Sequence, residues 1–118
     1  MKVQFNRHFK KYKKYRNKTC HCRQGHLHDS IKEANYCNEL ELMKKAGEIE
    51  EYKSQVKFDL RVNDQKVCAM IVDFLVTTAA GDKEVHEVKS KITMTSTWNV
   101  KRKLFEALHE DINYVVIR

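Results

Sequence analysis

Between Ser30 and Gly47 the apolar positions recur at helical spacing in two partial stripes. One holds Ile31, Ala34, Leu42 and Ala46, the other Tyr36, Leu40 and Met43. A helix apolar on two sides packs against more than one neighbour. Ser30-Ile31-Lys32-Glu33 gives it a capping-box start. Period-two alternation follows from Tyr52 to Val62, then the nearly all-apolar run Lys66–Thr78, then the short segment Lys83–Lys89. These predict three strands, with Asn63-Asp64 and Ala80-Gly81-Asp82 as turns between them. Helical spacing returns from about Ser96 to Glu110, and Ile112–Arg118 reads as a last strand. The order helix, three strands, helix, strand predicts an α/β sandwich, a mixed sheet flanked by helices. It occupies residues 29–118, preceded by a basic arm and irregular lead-in over 1–28.

One residue breaks the apolar pattern in a way that asks for chemistry. Asp73 is the single charge within "AMIVDFLV", and a buried strand tolerates a carboxylate only with a partner or a metal. Folding the second and third strands as a hairpin about Ala80 sets Thr77 against Lys83, Leu75 against Val85 and Asp73 against Glu87. Opposed Cβ atoms lie about 4.5–5.5 Å apart, where two carboxylates repel. Lys89 shares a strand face with Glu87. Oxygen ligands so placed suit Mg²⁺ or Mn²⁺. On the second helix Lys101 falls within an apolar stripe of Val100, Leu104, Phe105, Ala107 and Leu108. There it either snorkels to the edge or points at the same cation site.

Charge changes the picture of the partner. The net charge of +7 is split into +9 over residues 1–23, which hold no acid, and −2 over the rest. The head interleaves Arg7, Lys10, Lys11, Lys13, Lys14, Arg16 and Lys18 with Phe5, Phe9, Tyr12 and Tyr15. Cations track phosphates while aromatics stack on bases, so DNA is the expected partner of an arm that is solvated until it binds. No apolar run is long enough to span a membrane, and the basic N-terminus lacks a signal-type apolar region. A reducing, cytoplasmic compartment is expected, with the four cysteines as thiols or ligands.

Cys20, His21, Cys22, His26 and His28 crowd the lead-in. Zinc accepts such ligands, but Cys-x-Cys with His-x-His departs from the usual structural spacings. The cluster therefore reads as polar lead-in near DNA and not as a zinc site. Cys37 and Cys68 read as core thiols, and Trp98 as packing.

Asp73, then Glu87-Val88-Lys89 on the next strand, with Glu33 on a preceding helix, resembles the PD-(D/E)XK nuclease superfamily. The layout from "HDSIKEANYCNELELMKKAG" through "IVDFLV" and "HEVKSK" to "KRKLFEALHEDINYVVIR" is similar to the phage Holliday-junction-resolving endonucleases. The resemblance covers residues 29–118 and implies a restriction-endonuclease-like α-β-β-β-α-β sandwich. It also implies a Mg²⁺-dependent endodeoxyribonuclease acting on branched DNA in an infected or lysogenic bacterial host. Asp73, Glu87 and Glu33 would hold the metal, Lys89 would orient the attacking water, and Lys101 is a further catalytic candidate. Val72 stands where the superfamily frequently has proline before the aspartate. Glu33 is also the third capping-box residue, so a helix-capping role stands beside the catalytic one. Cutting two strands needs two sites, hence a homodimer. Two other readings compete: a non-catalytic DNA-binding protein with a degenerate nuclease fold, and a zinc-dependent interaction protein built on residues 20–28.

Overall fold

The computed structural model describes residues 19–90 and 92–118. The arm cations Arg7, Lys10, Lys11, Lys13, Lys14, Arg16 and Lys18 lie outside the described residues. In chain order the elements are β1 (Cys20–His21), β2 (Leu27–His28), α1 (Ile31–Lys45), β3 (Ile49–Val62) and β4 (Gln65–Thr78). They continue with β5 (Lys83–Val88), α2 (Ser96–Leu108) and β6 (Asn113–Ile117). β1 and β2 form a small antiparallel ladder that the sequence pattern does not predict. The main sheet runs β3-β4-β5-β6. Its first two pairings are antiparallel, and β5–β6 is parallel. A parallel pair needs a crossover, which α2 provides. The result is a mixed α/β fold of four strands and two helices, compatible with an α/β sandwich. No helix among the described residues is long and apolar enough to cross a membrane.

Local chemistry explains the boundaries. Ser30 is extended, and its Oγ accepts from Glu33 N at 3.0 Å to open α1. The helix closes in a Schellman motif: Glu48 N donates to Met43 O and Gly47 N to Lys44 O, with Gly47 at φ +80°. Asn63 and Asp64 both take positive φ (50° and 65°), as a two-residue hairpin turn requires.

Two apolar clusters sandwich the sheet. Ala34, Cys37 and Leu40 of α1 pack with Cys22, Ile49, Phe74 and Val76, and Phe105 of α2 packs with Leu60, Met70, Val72 and Val85. Phe74 and Phe105 are both fully buried, each contributing about 1.5–3 kcal/mol by burial. Leu75 and its cross-strand partner Val85 face the α2 cluster while Phe74 and Val76 face α1. Across Phe74–Val76 strand alternation therefore puts the two helices on opposite faces. Met70 and Val72, of the same parity as Phe74 but packed with Phe105, show that β4 exchanges its facing at Asp73.

The helix faces agree only in part with those expected. Tyr36, Leu40 and Met43 of α1 and Leu104 and Phe105 of α2 pack on the core, while some other stripe positions do not. In α1, Ile31 (56%) and Leu42 (59%) are exposed, and the buried row is Glu33, Ala34, Cys37 and Leu40. In α2, Val100 (66%) and Leu108 (38%) are exposed, and Phe105 is the buried residue. The inward row is Trp98, Lys101 and Phe105, where an indole and a lysine stem take places that an apolar count assigns to aliphatics.

Candidate active site

The β4–β5 ladder pairs Thr77 with Lys83, Val76 with Glu84, Leu75 with Val85 and Phe74 with His86. This is the register the loop length predicts. The turn is closed by Thr78 N to Asp82 O at 2.8 Å and Gly81 N to Thr78 O at 2.9 Å. One residue beyond the last pair, the ladder opens. The Asp73 carboxylate there accepts from Val88 N at 2.8 Å, and Glu87 and Glu33 lie near enough to shift its titration. Asp73 of β4 thus stands between Glu87 of β5 and Glu33 of α1, each glutamate acting on it and not on the other.

Glu33 does not complete the capping box. Its backbone N–H receives the Ser30 cap, but its side chain turns inward and is buried. Glu33 Oε2 lies 2.8 Å from His28 Nδ1 and accepts from Gln55 Nε2 at 2.8 Å. Gln55 sits between the pairs Ser54–Phe74 and Val56–Val72, opposite Asp73, and adopts φ +54°. A left-handed glutamine within a strand is held there by its surroundings, at a cost of order 1–3 kcal/mol. On the other side, Tyr114 Oη donates to Glu87 Oε1 at 2.8 Å from β6. Neither Gln55 nor Tyr114 is marked by the sequence pattern, and His28 is marked there only as part of the Cys/His lead-in. The one available signal is the parallel return of β6 beside β5, which brings a tyrosine alongside Glu87.

Burial and crowding set the electrostatics. Glu33 is pushed up to about 8, first by burial and then by the charges of Asp73 and Asp29. Glu87 is likewise pushed up to about 8 by burial and by Asp73. Burial also raises Asp73, against hydrogen bonds from its neighbours and the charge of Lys89. Among the described residues no lysine or arginine forms an ion pair with any of the three. Carboxyls placed on both sides of Asp73 with so little compensating charge are oxygen donors of the kind a hard divalent cation takes.

The remaining candidates stand at the mouth of this site. A cleft of about 220 Å³ is lined by Met70, Ile71, Glu87, Lys89, Trp98 and Lys101, among others. Lys89 follows β5 directly, and its N–H donates to Ile117 O at 2.9 Å, which fixes its backbone against β6. Its ammonium lies 5.1 Å from the Trp98 ring centroid, and the Arg102 guanidinium 5.4 Å from the same ring. Trp98 is therefore a platform for cations as well as packing. Lys101 Nζ donates to Ala69 O at 3.1 Å, which anchors it inside the cleft wall. Both readings of Lys101 meet here: it is tethered to backbone, and it lines the same cleft as Glu87 and Lys89.

A second cluster lies behind Glu33. Cys22, His26, His28 and Cys37 present ligand atoms all within 4.8 Å of one another and could hold a metal ion. Cys20 is not among them; its thiol faces Ser30 O at 3.6 Å. Short-range spacing argues against a metal in the lead-in, but the fourth donor, Cys37, comes from α1 and lies outside any such spacing.

No curated protein and no solved structure matches the chain. A family model described as a protein of unknown function, DUF1064, matches residues 10–118, and the chain belongs to that family.

Proposed function

We propose that the protein is a Mg²⁺-dependent DNA endonuclease with a restriction-endonuclease-like fold, cutting branched DNA as a homodimer in a bacterial cytoplasm. The observation that carries this is the approach of Glu87 and Glu33 to Asp73 from either side, with Lys89 near Asp73 and Glu87. A DNA-binding protein without catalysis has no use for two buried glutamates that each crowd a half-buried aspartate. Asp73, Glu87 and Glu33 would hold the cation, which when bound supplies charge neutralisation at a phosphodiester and acidifies water. Lys89, aimed into the cleft that reaches Glu87, would orient the attacking water and steady charge on the phosphate oxygens. Gln55 and Tyr114 would hold Glu33 and Glu87 in place, each through a 2.8 Å hydrogen bond. Lys32 and Arg102 add positive charge near Lys89, Lys32 Nζ lying 3.4 Å from Lys89 O. The cleft would thus attract a polyanion before chemistry begins.

The deciding experiment incubates the protein with linear, nicked, flapped and four-way DNA, with Mg²⁺, with Mn²⁺, or with neither. Cleavage of branched substrates only with a divalent cation is the expected result. Binding without cleavage under every condition would replace the nuclease by a DNA-binding protein on a degenerate site.

The arm gives a separate prediction. Deleting residues 1–18 removes eight of the nine cations of the head and leaves Arg23. Binding should weaken on all substrates. On duplex DNA the slope of log K against log salt should become shallower by about 0.9 for each phosphate that the arm no longer neutralises. An unchanged slope would make the arm a bystander.

A further inference from the structure

We propose that Cys22, His26, His28 and Cys37 form a structural Zn²⁺ site that pins the β1–β2 ladder to α1. Two thiols and two imidazoles are a donor set that structural zinc takes in tetrahedral geometry. Zinc–ligand bonds of about 2.0–2.3 Å place tetrahedral ligand atoms roughly 3.3–3.8 Å apart. Here the four ligand atoms lie within 4.8 Å of one another, and His26 Nδ1 is already 3.4 Å from Cys37 Sγ. Closing the site on a metal therefore needs side-chain adjustments of about an ångström.

Three further observations point to a ligand. His28 is buried, and its Nε2 has no hydrogen-bond partner among the described residues, an orphaned polar atom among the cluster's thiols. Its other ring nitrogen, Nδ1, faces Glu33 Oε2 at 2.8 Å. An imidazole held by a carboxylate on one nitrogen and free on the other is the arrangement zinc-ligating histidines use. The backbone also folds for the purpose: Gly25 N donates to Cys22 O and Cys22 N to His26 O, each at 3.0 Å. Gly25 at φ +88° closes this turn and brings Cys22 and His26 together. Finally, two-residue strands do not hold themselves together. The ladder packs Cys20 on the core and its loop adds Cys22, while Leu27 is 56% exposed. A metal supplies the tie that so little apolar surface cannot.

The site has a consequence that rests on the nuclease reading. Through His28 the zinc fixes Glu33, so His28 is a positioning residue for a carboxyl of the catalytic site.

The test uses the untagged full-length chain, analysed for metals as purified. One zinc per chain is expected. Cys22→Ser and Cys37→Ser should lose it, and Co²⁺ exchanged for zinc should show the visible bands of a tetrahedral thiolate–imidazole site. His26→Ala acts at an exposed position that the core does not need. It should fold and weaken zinc binding at least about tenfold, and it keeps the test decisive if the cysteine variants do not fold. Iron in place of zinc, a Cys22–Cys37 disulfide, or a metal-free protein whose melting is indifferent to zinc would overturn the site. Zinc content is read without DNA. Zinc-loaded protein that cuts nothing would refute the nuclease and leave this site standing, whereas zinc-free protein that cuts would do the reverse.

Discussion

Lys89→Ala is expected to lower DNA cleavage by about a hundredfold or more while Mg²⁺ still binds. An ammonium cannot ligate a cation, so its loss leaves the carboxyl site intact and removes a repelling charge beside it. What disappears is the donor that, on the proposed function, would face a phosphate across the cleft shared with Glu87. The fold should tolerate the change. Lys89 is held by its backbone bond to Ile117, which alanine keeps, and its cation–π interaction with Trp98 is worth only about 0.5–1 kcal/mol. Melting should therefore fall by no more than about 5 °C. Lys101→Ala is the matched control, because Lys101 lines the same cleft but spends a hydrogen on Ala69 O. Its rate loss should be smaller than that of Lys89→Ala. Single-turnover cleavage of a four-way junction reads both. Cleavage by Lys89→Ala at the parent rate would remove the nuclease assignment from this site.

The approach of Asp73 to Glu87 is legible in the sequence because one short turn fixes the register, although the ladder stops one residue short of that pair. With the chain reversing between Thr78 and Asp82, pairing every residue up to Phe74–His86 follows by counting. The layers are legible for a similar reason, since periodicities of two and 3.6 survive in strands and helices of this length. What stays hidden depends on long-range placement. Gln55 alternates like any strand residue, and only its register opposite Asp73 gives its left-handed backbone a meaning. His28 reaches Glu33 because β2 folds back beside α1, and two-residue strands leave no periodic trace. Cys37 reads as a core thiol because it is one, fully buried, as well as a neighbour of His26. The inner face of α2 is obscured for a chemical reason: Trp98 and Lys101 carry long apolar surfaces that a wheel scores as half-polar or charged.

Asp73→Asn should leave the protein as stable as its parent, or slightly more so, in Mg²⁺-free buffer without chelator, and should erase both cleavage and the stabilisation by Mg²⁺. Asparagine keeps the shape, and its carbonyl oxygen still accepts the 2.8 Å bond from Val88 N. It removes the charge that helps to push Glu33 and Glu87 up to about 8. In the parent, about 10 mM Mg²⁺ at an assumed Kd near 1 mM would contribute ~1.4 kcal/mol; in the variant most of that increment should vanish. The pH dependence has a definite sign. Glu33 and Glu87 start from an ordinary value of 4.5 when unfolded and reach about 8 when folded. Between those values the native state binds more protons than the unfolded one, so metal-free stability falls as pH rises from about 5 to 8 and levels off above. Asp73→Asn should flatten that decline, because the two glutamates then ionise more easily beside a neutral amide. Taking the difference between parent and variant cancels the contribution of the Cys22–His26–His28–Cys37 cluster, which both proteins carry. Thermal melts of the two at about pH 5 and pH 8, with and without Mg²⁺, measure every quantity. If instead the variant melts far lower than a parent that Mg²⁺ does not affect, Asp73 is a structural carboxylate holding Val88, and no cation belongs between it and Glu87.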